Sequence, residues 1–116
     1  MKKDNDLNRE LLEYENLEKQ LEVVLIQKHQ LQLQLNEIKH AMDELKKTHG
    51  EVYRSTGSIM VKSNREEADK DLKDRKELIE MRLAGLAKSE EKMRTTVVEA
   101  QKSLQQRMKE YGQGSS

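Results

Sequence analysis

The chain has 116 residues, and its 22 basic and 22 acidic side chains leave no formal net charge. It contains no Cys, Pro, Phe or Trp and only 3% aromatic residues, which excludes a disulfide framework, thiol chemistry and a thick aromatic core. There is no polybasic block to neutralise a phosphate backbone, and the longest apolar run, residues 23–26, is too short to span a membrane. We expect one soluble, cytoplasmic domain over residues 1–116 that needs no cofactor and binds neither nucleic acid nor membrane.

The first segment, about residues 4–48, has the 3-4 apolar spacing of a coiled-coil helix, and this regularity argues against disorder. Nine of the ten positions in this stripe are apolar, and the exception is Lys28. The methylene groups of a lysine can pack in an apolar stripe while its ammonium group stays in water. Leu7 is in phase as well, one position before polar Glu10. The ten positions are Tyr14, Leu17, Leu21, Val24, Lys28, Leu31, Leu35, Ile38, Met42 and Leu45.

Residues 51–62 predict a β-hairpin between the two helical segments. Strand-forming residues lie on both sides of a Ser-Thr-Gly-Ser sequence at 55–58, which is typical of a turn. An irregular loop between helices is the alternative, but such a loop has no need of so many strand-forming residues. The strand-forming residues are Val52, Tyr53, Ile59, Met60 and Val61.

Two glycines are expected to shape this connection. Residues 48–50, Thr-His-Gly, are expected to end the first helix, with Gly50 in a left-handed conformation. Thr56 fits poorly at positive φ, so a three- or four-residue loop that uses Gly57 is favoured over a two-residue turn.

The second segment, about residues 64–111, begins with Ser63 and Asn64 as N-cap residues and with Glu66 and Glu67 at capping-box spacing. Residues 112–116 are typical of a flexible tail. Nine of twelve stripe positions in this segment are apolar, and they are Leu72, Lys76, Ile79, Leu83, Leu86, Glu90, Met93, Val97, Ala100, Leu104, Arg107 and Tyr111. Two helices of similar length with a short connector predict a mainly α fold: a long antiparallel two-helix coiled coil with one β-hairpin at the bend. The seam is the pair of stripes taken together.

At these residues the chain resembles a β-type subunit of the prefoldin family. Residues 52–62, Val-Tyr-Arg-Ser-Thr-Gly-Ser-Ile-Met-Val-Lys, are similar to the family's V-Y-K-x-x-G-x-I-L-V-K hairpin. Arg54 replaces the usual Lys, and Ser58 replaces the usual Asn before the Ile. Residues 65–67 and 72–78 resemble the start of the family's second helix, and residues 24–31 resemble part of its first. A single hairpin points to the β-type rather than the α-type subunit, which carries two.

The resemblance implies a hexamer of two α-type and four β-type subunits, in which the hairpins merge into β-barrels and the coiled coils hang from them. It also implies a non-enzymatic, ATP-independent chaperone that holds unfolded proteins at the coiled-coil tips and passes them to a group II chaperonin. The residues expected to carry subunit assembly are Val52, Tyr53, Ile59, Met60 and Val61.

Apolar residues near the outer ends of the two helices are the expected binding site for unfolded proteins. Fraying ends expose such side chains, and methionine adapts its shape to many partners. The site is expected to contain Leu7, Leu11, Leu12, Leu104, Met108 and Tyr111. The alternative is that the three of these that lie in the stripes, Leu7, Leu104 and Tyr111, only close the seam.

The alternative function is a structural coiled-coil tether or scaffold without chaperone activity, because heptads are equally typical of such proteins. Residues 51–62 discriminate between the two, since a scaffold has no need of matched strands at the bend. Catalysis has little support, because a Gly-rich phosphate loop and a His-Glu-x-x-His motif are both lacking. His40, Asp43 and Glu44 have a helical spacing that suits a metal, but on a charged helix such residues are usually just solvated, and we predict no metal site.

Overall fold

The computed structural model describes the backbone of residues 2–114 and the side chains of residues 5–112. Helix α1 spans Lys2–Lys47, strand β1 Val52–Thr56, strand β2 Ile59–Ser63 and helix α2 Arg65–Gly114. The predicted fold class is confirmed, since two long helices are joined by an antiparallel two-stranded hairpin. Helix α2 continues through Gly114, into the predicted tail, and residues 115 and 116 of that tail lie outside the described part of the chain.

Two compact units make up the chain. The terminal unit consists of Met1–Gln27 and Leu86–Ser116, and the hairpin unit consists of Lys28–Gly85. Each unit therefore contains one segment of α1 and one segment of α2, and the hairpin unit also contains both strands.

In the terminal unit, the two helix segments bury the predicted stripes. Val24 and Leu104 are 7% and 8% exposed, and Glu10 of α1 contacts Arg107 of α2, as an antiparallel arrangement requires. Burying a leucine or valine side chain contributes roughly 1.5–3 kcal/mol, so each layer of the seam adds to stability. The half-buried apolar positions in this unit are Leu7, Tyr14, Leu17, Leu21, Leu86, Met93, Val97 and Ala100.

In the hairpin unit, the core consists of Leu35, Ala68 and Ile79. Leu35 and Ile79 were predicted as stripe positions, whereas Ala68 was not. Ala68 lies four residues before Leu72, so it continues the same spacing into the first turn of α2. The two lysines in the stripes, Lys28 and Lys76, are half-buried, and the ammonium group of Lys76 lies 3.8 Å from a carboxylate oxygen of Glu80 on the same helix.

The end of α1 is formed by Thr48 rather than by a left-handed glycine. The Thr48 hydroxyl donates to the carbonyl of Glu44 at 2.7 Å, and its N–H donates to the carbonyl of Leu45 at 3.4 Å. These bonds satisfy two carbonyls that the helix end would leave unpaired. The predicted left-handed conformation of Gly50 is wrong, because within residues 2–114 only Gly57 has a positive φ, of 61°.

The hairpin turn is shorter than predicted. Thr56 pairs with Ile59, so the loop contains only Gly57 and Ser58, and the expectation of three or four loop residues is wrong. Gly57 has positive φ and Ser58 does not, which is the pattern of a type II′ turn with glycine at its first central position. Thr56 remains in the strand, and its poor fit at positive φ therefore has no effect on the turn.

The predicted N-terminal cap of α2 is confirmed. The backbone N–H of Glu67 donates to Oδ1 of Asn64 at 2.8 Å, and the Ser63 hydroxyl donates to a carboxylate oxygen of Glu67 at 3.2 Å. Such a cap contributes about 1 kcal/mol, and here Asn64 is the single residue between the end of β2 and the start of α2. The capping bonds thus tie the hairpin to the helix that follows it.

Leu35→Ala should lower the free energy of unfolding by about 2–5 kcal/mol, because it removes a buried side chain and leaves a cavity. Leu33→Ala is the matched control: the same substitution two residues away, at a side chain that is 49% exposed, should change stability by less than about 0.5 kcal/mol. Urea unfolding followed by circular dichroism at one fixed protein concentration measures both. Equal losses in the two variants would contradict the assignment of Leu35 to the core.

Candidate functional site

The hairpin presents two faces, each with apolar side chains. Residues paired across the two strands lie on the same face, and the pairs alternate between faces. Arg54 pairs with Val61 and Thr56 with Ile59 on the first face, whereas Ser55 pairs with Met60 on the second. Ile59 and Val61 therefore lie on one face of the hairpin and Met60 on the other, as the alternation of side chains along a strand requires.

Most of the residues predicted to carry assembly are open to solvent. Met60 is 65% exposed, Ile59 64%, Tyr53 51% and Val61 44%, whereas Val52 is half-buried. Among residues 2–114 the sheet contains only β1 and β2, so each strand has one edge without a strand partner in this chain. Unpaired edges and exposed apolar faces together are the features by which a sheet adds strands from another chain.

Three side chains form a polar cluster beside the strands of the hairpin. The Tyr53 hydroxyl donates to Oε2 of Glu51 at 2.5 Å, and the ammonium group of Lys62 lies 3.4 Å from Oε1 of the same carboxylate. Two hydrogen bonds lower the pKa of Glu51 below 4.5, and the one from Tyr53 has a larger effect than the one from Lys62. The same bond to Glu51 raises the pKa of Tyr53 above 10.0. Tyr53 and Lys62 are paired residues, so the cluster links the two strands on their second face.

Arg75 joins α2 to the hairpin, and no sequence pattern indicated this contact. Its guanidinium donates to the backbone carbonyl of Ser55 at 3.4 Å and lies 3.1 Å from Asp71, one helical turn earlier. The sequence predicts the Asp71–Arg75 ion pair, because the two residues are four apart on one helix, but it does not predict the hydrogen bond from Arg75 to Ser55. An open cleft lies beside this contact, and its apolar lining includes Leu45, Val52, Met60, Ala68 and Leu72.

The six residues predicted to bind unfolded proteins all lie in the terminal unit, at the tip, which we define as residues 5–14 and 100–112. Their exposure differs. Leu12 is 61% exposed, Met108 56%, Tyr111 43% and Leu11 42%. Leu7 is half-buried and Leu104 is buried, so these two side chains help to close the seam in this structure.

An ion pair crosses the seam at the tip. Nε of Arg107 lies 2.9 Å from Oε1 of Glu10, and the two side chains are 48% and 25% exposed. The second oxygen of Glu10, Oε2, is shielded from solvent and has no hydrogen-bond partner. Both residues occupy stripe positions whose neighbours are apolar, so the sequence shows two polar interruptions but does not show that they meet.

Within the described residues, no helix is long and apolar enough to cross a membrane. Between residues 2 and 114 there is also no group of three or more His, Asp or Glu side chains placed to hold a metal ion, and that range includes His40, Asp43 and Glu44.

Comparison with known proteins shows similarity to one family. The family model described as "Prefoldin subunit" matches residues 8–111. The prefoldin subunit beta of Archaeoglobus fulgidus is 37% identical over 93 residues, which cover 78% of this chain and 80% of that protein. The prefoldin subunit beta of Pyrococcus furiosus is 33% identical with the same coverage. The crystal structure of the prefoldin beta subunit from Thermococcus strain KS-1 matches with a TM-score of 0.79 at 31% identity, covering 87% of this chain and 90% of that one.

Tyr53→Phe should raise the pKa of Glu51 toward 4.5, because the phenol hydrogen bond is the larger of the two causes that lower it. Lys62→Met removes the smaller cause and should raise it less. NMR titration of the Glu51 side-chain carboxyl resonance measures both, and a larger change in the Lys62 variant would contradict the assignment. By linkage, the Glu51 contribution to hairpin stability is present above pH 4.5 and is lost as the pH falls through its lowered pKa.

Proposed function

This chain belongs to the prefoldin subunit family as a β-type subunit, and from that membership we propose that it acts as a holdase, an ATP-independent chaperone subunit that binds unfolded proteins without a catalytic step. The observation that carries the proposal is the exposure of Leu11, Leu12, Met108 and Tyr111 at the tip. These side chains expose apolar surface on the outside of a helix pair, so contact with an unfolded client removes that surface from water.

The chemistry of these side chains suits a binding site that accepts many sequences. Hydrophobic attraction has no preferred direction and scales with the apolar area that is covered. Met108 can change rotamer to fit different partners, and Tyr111 combines an apolar ring with a polar hydroxyl. Leu7 and Leu104 are part of the proposed site as a second layer, which becomes available where the helix ends separate.

For assembly, we propose that the hairpin joins the hairpins of other prefoldin subunits in a hexamer of two α-type and four β-type chains. The support is the exposure of Ile59, Met60, Val61 and Tyr53 on a sheet that has only two strands among the described residues. An isolated two-stranded hairpin is marginally stable in water, and added strands would satisfy its open edges. Val52 is half-buried, and it lines the cleft that the hairpin forms with residues of α1 and α2.

Delivery of the bound client to a group II chaperonin in the cytoplasm completes the proposed function. This step rests on family membership alone, and we assign no residues to it. A structural tether without chaperone activity is the competing function, and the experiments below separate the two because a tether has no use for exposed apolar residues at the tip.

Replacing Leu12 and Met108 together by Ser should reduce suppression of client aggregation severalfold, because both side chains are more than half exposed and would lose their contacts with the client. The assay follows light scattering of a denatured client in the presence of the reconstituted complex. Val23→Ser with Val98→Ser is the matched control, since both valines belong to the terminal unit, are exposed and lie outside the tip. The control should retain suppression.

Deletion of residues 1–12 and 102–116 tests the same proposal more strongly. Aggregation suppression that is unchanged in this deletion, in a complex that still assembles, would exclude the tip as the client site and favour the tether.

Ile59→Asp should dissociate the oligomer, because it places a charge on the first face of the hairpin, where the proposed interface needs an apolar side chain. Helicity by circular dichroism should change little, since α1 and α2 are not altered. Native mass spectrometry with and without an α-type partner measures the assembly state. Ser58→Asp introduces the same charge one residue away in the turn and should leave the oligomer intact. An unchanged mass for the Ile59 variant would contradict the proposed interface.

A further inference from the structure

We infer that the Glu10–Arg107 ion pair, which we call the latch, has two effects. It sets which residues of α1 and α2 face each other at the tip, and it makes the tip easier to open than an apolar pair would. The structural part of this inference depends only on the contacts in the terminal unit. Its significance for client capture rests on the proposed function.

The position of the pair is the first argument. Stripe neighbours on both helices are apolar, with Leu7 and Tyr14 flanking Glu10 and Leu104 preceding Arg107. A leucine at each of the two positions would continue the seam, as it does at Leu17 and Leu21. Two opposite charges at facing positions therefore replace what the pattern would otherwise fill with apolar contact.

The geometry of the pair is the second argument. One oxygen of Glu10 is held by Arg107 at 2.9 Å, a charge-assisted hydrogen bond. The other oxygen is removed from water without any compensating bond. A carboxylate in this state bears an uncompensated loss of hydration, which offsets much of the attraction to Arg107. Opening the tip returns that oxygen to water, so the pair opposes opening less than packed apolar side chains would.

Register specificity follows from the same contact. A slip of α2 by one turn would move Arg107 opposite an apolar stripe residue and would leave Glu10 facing the seam without a cation. Both changes leave a partly shielded charge without its partner, which is unfavourable, and the effect is larger for Glu10 because its side chain is only 25% exposed. The best attested use of a polar pair in a helical seam is to specify register in this way.

The pair also lies where the seam ends. In the stripe of α2, Leu104 precedes Arg107 and is 8% exposed, whereas Tyr111 follows Arg107 and is 43% exposed. Asp6, Glu110 and Tyr111 line an open cleft together with Leu7 and Arg107. Among these lining residues Arg107 is a cation beside two carboxylates, Asp6 and Glu110, so reversal of its charge would add repulsion instead of leaving a neutral gap.

Amide hydrogen exchange on the full chain in its assembled complex tests the latch, because exchange reports local opening without any client present. In Glu10→Leu with Arg107→Leu, amides of residues 5–13 and 102–112 should exchange at least about fivefold more slowly, the lower range expected when packed apolar side chains replace an ion pair. In Arg107→Glu they should exchange faster. The exchanged pair, Glu10→Arg with Arg107→Glu, should restore rates closer to the parent than to the single variant.

The matched control is Glu13→Leu with Lys109→Leu, which makes the same change in charge and composition at two exposed positions near the tip. It should not slow exchange in these segments. The latch is overturned if the seam double variant exchanges no more slowly than this control, or if the exchanged pair opens as readily as Arg107→Glu.

An aggregation assay on the same variants separates the latch from the proposed function. If the double leucine variant shows slow exchange and also captures less client, the latch controls access to the tip. If exchange slows while client capture is unchanged, the latch stands, and capture uses side chains that are exposed without opening, such as Leu12 and Met108.

Discussion

The structure depends on a narrow apolar seam between segments of α1 and α2. Among the described side chains, only Val24, Leu35, Ala68, Ile79 and Leu104 are buried. Each helix exposes an apolar stripe that it cannot bury alone, and intrinsic propensity rarely holds a long helix together in water. Pairing of the stripes therefore provides much of the stability of both units. The same narrowness leaves many apolar side chains exposed outside the seam.

Two surfaces use this exposure in different physical ways. The hairpin offers backbone donors and acceptors at strand edges, which require a partner of defined geometry, and its side chains alternate between two faces. The tip offers apolar side chains on helices, whose attraction has no direction. The first surface suits one specific neighbour and the second suits many unrelated chains. The two surfaces lie in separate units of the chain.

Charged residues adjust these surfaces. In the hairpin, Tyr53 and Lys62 hold the carboxylate of Glu51 and tie the two strands together, while Arg75 fixes the hairpin to α2. In the terminal unit, the Glu10–Arg107 pair replaces an apolar layer at the point where the seam opens. The polar interruptions at Glu10 and Arg107 are therefore a matched contact, and they limit how tightly the tip closes.

Much of the architecture was determined by local sequence. The 3-4 spacing predicted both helices and most of the buried positions, because helical period and apolar character are properties of each segment by itself. Asn64 and Glu67 were sufficient to place the start of α2, since a capping bond involves residues three apart. Ile59 and Met60 lie on opposite faces of the hairpin because successive residues of a strand alternate, which is also a local property of the sequence.

Only the tertiary structure decided what depends on distant segments or on a single backbone angle. The two-residue turn depends on the sign of φ at Gly57. At the end of α1 two local caps were available, and the structure uses the bond from the Thr48 hydroxyl to Glu44 instead of a left-handed Gly50. The pairing of Glu10 with Arg107, the burial of Leu104 beside exposed Met108, and the reach of Arg75 to Ser55 follow from how remote parts of the chain pack. Spacing along one helix states which residues share a face, but contact across a seam depends on the register and rotation of two helices, and no local pattern contains that information.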